Sequence, residues 1–129
     1  MKFIYCNPNP KNKLVGDCVI RALSINLDKD WKTTYRELCQ LGEQMFDMPS
    51  SNEVWGTYLK NYGYRRYTIP NTCPNCYSVY SFCIDHPIGK YILATGSHVI
   101  TVIDGYYYDT WDSGMEIPIY YWKKEIKSL

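Results

Sequence analysis

A chain of 129 residues with a formal net charge of +1 and Lys and Arg scattered among Asp and Glu is one domain's worth of sequence. No basic block marks a nucleic-acid surface and no polybasic run marks a membrane one, so neither partner is expected. The opening apolar run is cut short by Asn7 and Pro8, too early for a signal peptide, so the six cysteines read as thiols of a cytoplasmic protein and not as three bridges.

From Asn7 to Lys13 the chain reads as an extended arm, because Pro8 and Pro10 bias the residues before them away from helix. Asp17 then stands as N-cap of a helix carrying Val19, Ile20, Ala22, Leu23 and Leu27, apolar enough to be central and buried. Arg21 on that helix calls for a carboxylate that the sequence does not name. Asp30 caps a second helix with an apolar stripe of Trp31, Tyr35, Leu38, Leu41 and Met45. In "PSSNEVWGTYLKNYG" Ser50 stands three residues before Glu53, a capping-box spacing, and Gly63 marks the end of a third helix.

The second half changes character. "YRRYTI" reads as a strand and "CYSVYSFCIDH" as a short helix ended by Pro87. The segments "KYILAT", "SHVITVI", "YYYDTW" and "IPIYYWK" follow, rich in β-branched and aromatic residues, and read as strands. Asp104-Gly105 predicts a type I′ hairpin turn. Helices first and an antiparallel sheet second is an α+β order. The prediction is a single domain over residues 1–129, its N-terminal helices packed on a mostly antiparallel twisted sheet with the cleft between them.

Cys18 opens the first helix, where the positive end of the helix dipole favours a thiolate. Of the two histidines, His98 opens a strand after "TGS", beside room for a ring to work, whereas His86 sits at a helix end before Pro87. Counting outward from the Asp104-Gly105 turn puts His98 opposite Trp111 and makes Asp109 its diagonal neighbour on the same face. Asp112 falls on the other face unless a bulge intervenes, so Asp109 is the better candidate for the acid that orients the ring. Asn12, six residues before Cys18, offers a side-chain amide that with the Cys18 N–H can meet a developing oxyanion.

These residues resemble the papain-like cysteine peptidases, including the bacteriocin-leader peptidases, in which a cysteine opens a central helix and a later sheet brings His and then an acid. "GDCVIRAL" at Gly16–Leu23 and "HVITVIDG…DTWD" at His98–Asp112 are similar to segments of small phage-encoded proteins of that fold. Asp109-Thr110-Trp111 looks like the family's Asn-Ser-Trp, with the indole covering the acid; Asn12 stands where most members carry Gln. The resemblance implies a thiol hydrolase of peptide, isopeptide or other amide bonds, working through Cys18, His98 and Asp109 without a cofactor. Its substrate would be a protein or peptide of the host cytoplasm, and Trp55 and Trp111 would wall the cleft. Whether water or an amine resolves the thioester is left open.

Two rival readings stand beside it. Cys73-x2-Cys76 followed by Cys83 and His86 is a formal set of zinc ligands, although Val79, Phe82 and Ile84 predict a core helix through the same stretch. The tyrosines of the last strands, Tyr106, Tyr107, Tyr108, Tyr120 and Tyr121, would suit a binding or inhibitor protein on a silent peptidase fold.

Overall fold

The computed structural model describes residues 1–125. In chain order these form β1 (Phe3–Tyr5), α1 (Cys18–Leu27), α2 (Trp31–Gln44), α3 (Asn52–Asn61), β2 (Tyr64–Thr68), α4 (Val79–Asp85), β3 (Lys90–Ala94), β4 (Val99–Ile103), β5 (Tyr106–Asp109) and β6 (Tyr120–Lys124). The fold is α+β, with one open six-stranded sheet in the order β1-β5-β4-β3-β6-β2. Every pairing is antiparallel except β1 on β5, where Phe3 lies beside Tyr107 and Tyr5 beside Asp109. This mixed edge is not visible in the sequence, because a three-residue strand paired in parallel to a partner a hundred residues away has no local signal.

Local chemistry explains most boundaries. Asp30 Oδ1 accepts from Thr33 N–H at 2.7 Å and starts α2. For α3 the cap is Ser51, not Ser50: its hydroxyl accepts from Glu53 N–H at 3.2 Å, one residue later than the capping-box spacing suggested. The turn between β4 and β5 has φ of 50° at Asp104 and 78° at Gly105, as a type I′ turn requires. The β3–β4 turn is equally tight, with Thr95 N–H bonded to His98 O at 2.9 Å and the Thr95 hydroxyl accepting from the N–H groups of Ser97 and His98.

Strand alternation divides the core into two layers. Ile92, Ala94, Val99, Tyr120 and Trp122 face Val19, Leu23, Leu38, Trp55 and Leu59 of α1, α2 and α3. Tyr91, Leu93, Ile100, Val102 and Tyr107 face Val79, Phe82 and Cys83 of α4. The three N-terminal helices thus cover one face, as predicted, and α4 covers the other, so the helices are not all on one side. Asn26 ties α1 to the sheet, donating to Tyr91 O and Thr101 Oγ1 and accepting from the Tyr64 hydroxyl, which leaves no buried polar group of that side chain unpaired. Among the described residues no helix is long and apolar enough to cross a membrane.

Candidate active site

The N-terminus of α1 and the β3–β4 turn meet at one end of the sheet and form a cleft of about 400 Å³. Asp17, Cys18 and Ile20 line it from α1, Tyr35 from α2, Asn52 and Trp55 from α3, and Thr95 to Val99 from the turn. Its walls are largely apolar, a setting that weakens competition from water for any polar group on the floor.

Cys18 and His98 both line that floor, near enough for each to act on the other's titration, and the Val99 backbone lies beside them. His98 Nε2 donates to Asp109 Oδ2 at 2.7 Å, which leaves Nδ1 for the thiol. Trp111 covers the imidazole, ring centroids 5.1 Å apart, while remaining half exposed itself. Asp109 is buried and its carboxylate is saturated. Oδ2 also accepts from the Ser113 hydroxyl at 2.7 Å, and Oδ1 accepts from Thr110 N–H at 2.8 Å and Arg21 Nη2 at 3.3 Å. Asp112 is committed elsewhere, accepting from the Tyr107 hydroxyl and Gly114 N–H, so of the two acids Asp109 is the one on the histidine.

The electrostatics follow from these contacts. Burial would raise the Cys18 thiol, but the His98 hydrogen bond, the Val99 N–H and the charges of His98 and Arg21 together hold it below its ordinary value. Burial would lower the His98 imidazole, but the bonds to Asp109 and Cys18 push it up to about 9. Asp109 stays below the usual carboxylate range despite its burial, because His98, Ser113 and Thr110 donate to it. These contacts favour an imidazolium beside the sulfur, over an ionised acid, and bias the thiol toward thiolate.

Arg21 finds two carboxylates, Asp17 and Asp109. Asp17 occupies the N-cap position of α1 but its side chain does not cap; it accepts instead from Arg21 and, at 2.9 Å, from Trp31 Nε1. The first helical bond is Arg21 N–H to Asp17 O, so the N–H groups of Cys18, Val19 and Ile20 precede the helical ladder and are not capped by Asp17. The i, i+4 spacing of Asp17 and Arg21 on an otherwise apolar helix was the available signal for this pair. Nothing local marked Ser113.

Asn12 is not where the spacing placed it. It is exposed, has φ of 55° in a turn closed by Asn12 N–H to Asn9 O, and turns its Oδ1 to Asn7 Nδ2 at 3.3 Å; it does not line the cleft. The arm is folded by its own Asn side chains, an arrangement that proline bias alone does not foresee. Trp55 does line the cleft, fully buried, with its Nε1 donating to Asn52 Oδ1 at 3.0 Å; Trp111 stands over His98 and outside the cleft lining.

The cysteines of the rival zinc reading are not assembled. Cys73 and Cys76 are exposed, Cys83 is buried on the sheet-facing side of α4, and His86 stacks on Phe82 with its Nδ1 at 2.9 Å from Phe82 O. Among the described residues no group of three His, Cys, Asp or Glu is placed to hold a metal ion. Elemental analysis of the purified protein should find well under one zinc per chain, unchanged by Cys73→Ser with Cys76→Ser. Stoichiometric zinc lost in that variant would restore the rival. The tyrosines divide as alternation requires, Tyr107 and Tyr120 buried and Tyr106 exposed, so they do not form one continuous recognition face.

Comparison of the chain with family models, with curated proteins and with solved structures finds no match.

Proposed function

We propose that the protein is a papain-like thiol hydrolase of amide bonds, with Cys18 as nucleophile, His98 as its acid and base, and Asp109 orienting the imidazole. One observation carries the reading: a thiol and an imidazole share the floor of one cleft, and the imidazole is held from behind by a buried carboxylate with all its donors in place. The thiolate attacks the carbonyl carbon and the carbonyl electron pair moves onto oxygen. The N–H of Cys18, at the positive end of α1, is the donor best placed for that oxyanion. As the tetrahedral adduct collapses, the C–N bond breaks and His98 gives its proton to the leaving amine. Water then attacks the Cys18 thioester, with His98 taking its proton back, and releases the carboxylic acid. The substrate under this reading is a protein or peptide, taken to be one of the host cytoplasm if the protein is phage-encoded.

The test uses p-nitrophenyl acetate as a simple acyl donor. A burst of p-nitrophenolate equal to the protein present, one acetyl group on Cys18 by mass spectrometry, and slow turnover afterwards are the expected results. Cys18→Ala should remove all three. Acetylation spread over several thiols, with no burst, would overturn the proposal.

A further inference from the structure

We infer that Arg21 is a positioning residue for the Cys18–His98 pair, gripping Asp109 behind the histidine and withdrawing the charge of Asp17 from the sulfur beside it. The inference rests on the reading of Cys18 as nucleophile and adds to it a device built on the helix itself. Arg21 lies one turn after Cys18 on α1, and Asp109 lies 88 residues further on, at the end of β5. The guanidinium reaches both Asp17 and Asp109 and also donates to Val15 O at 3.4 Å, with all three charged side chains less than a tenth exposed. A planar fork with several donors meets both carboxylates and the carbonyl in fixed directions, which a point-like lysine ammonium on a flexible stem does not.

A buried ion pair is a poor source of stability, since a neutral apolar replacement often folds as well. The site has a stronger use for it. Asp17 is the residue directly before Cys18, and an unpaired carboxylate there would oppose the thiolate. Arg21 neutralises it, and Trp31 Nε1–H fixes its second oxygen. The titratable groups facing the sulfur are then His98 from β4, Asp17 and Arg21 from α1, and Tyr35 across the cleft from α2; α3 contributes only Asn52 and Trp55 there. With Asp17 paired, the charges left to act on the sulfur are both positive.

The experiment is the pH dependence of iodoacetamide alkylation of Cys18, followed by peptide mapping of the whole chain. Arg21→Met should move the acid midpoint up by about one pH unit, the effect of an uncompensated neighbouring charge. Asp17→Asn alone, which leaves the guanidinium, should move it down, and the double variant should return most of the way to wild type. A purely structural role predicts lower stability with an unmoved midpoint. Should Arg21→Met not fold, Asp17→Asn decides: an unmoved midpoint there overturns the inference. If wild-type Cys18 alkylates no faster than Cys73 and Cys76, and His98→Ala changes nothing, the nucleophile reading itself has failed. If His98→Ala raises the midpoint while neither the Arg21 nor the Asp17 change moves it, the inference alone has failed.

Discussion

Replacing His98 by alanine should slow alkylation of Cys18 at neutral pH by about ten- to a hundredfold and abolish turnover. The imidazole is the first of the groups that offset burial of the thiol, through both its hydrogen bond and its charge. An ordinary thiol is only a few per cent thiolate at pH 7, so each unit by which the midpoint rises costs about a factor of ten in reactive sulfur. The order among the six thiols should invert. In the wild type Cys18 should label first, ahead of the exposed Cys73 and Cys76. Cys83 should hardly react, being fully buried and pushed up to about 12, and burial also raises Cys6. In the variant Cys73 and Cys76 should lead. Limiting iodoacetamide with peptide mapping reads this order directly, and an unchanged order would remove His98 from the site.

The same substitution should cost on the order of 2 kcal/mol of stability, the range for a hydrogen bond to a charged group. The ring is only 10 % exposed, so it is part of the packed interior and not merely beside a cleft. The loss stops there because Asp109 keeps three donors, from Arg21, Ser113 and Thr110. Turnover of the wild type should in turn fall on the alkaline side near pH 9, where His98 loses the proton that the leaving amine needs.

What could be read in advance was whatever short-range chemistry dictates. The cap of α2, the Asp104-Gly105 turn and the helical stripes all rest on residues within four positions of one another, whereas spacing alone sets the cap of α3 one residue early. From the turn alone the pairing of β4 with β5 follows, and with it the approach of His98 to Asp109 across eleven residues. The failures lie where distant segments decide. Strand β1 pairs in parallel with β5, α4 crosses to the far face, and the second of the two Arg21 partners, Asp109, is contributed by the other half of the chain. Asn12 failed for a different reason: spacing along a chain says nothing of direction once a turn intervenes, and Asn7 and Asn9 make that turn.

Arg21 also changes what Asp109→Asn should do. The papain-type pattern carries an asparagine at the corresponding place, and from the hairpin alone the amide looks harmless, since it can still hold the ring. Here the carboxylate has four donors to satisfy and the amide brings a donor of its own. If its nitrogen replaces Oδ1, it faces Arg21 and the Thr110 N–H; if it replaces Oδ2, it faces His98 Nε2 and must force the ring to accept. Either way Arg21 loses one of the two buried carboxylates it pairs with and keeps Asp17, so the cost stays below the roughly 3–5 kcal/mol of leaving a buried charge alone. The pH dependence distinguishes this from simple misfit. His98 has a folded value of about 9, above the ordinary imidazole range near 6.5, so its contribution to stability is complete below pH 6.5 and is lost as the pH rises through 9. Because Asp109 is the main source of that rise, the variant lacks the contribution. The stability gap between wild type and Asp109→Asn should therefore be widest near pH 6 and narrow by pH 9.5, with the alkaline limb of turnover moved down toward the ordinary imidazole value. Chemical denaturation at those two pH values, with a turnover profile, provides the measurement. An equal gap at both, with the limb still near 9, would show that the amide serves this site as well as the acid does.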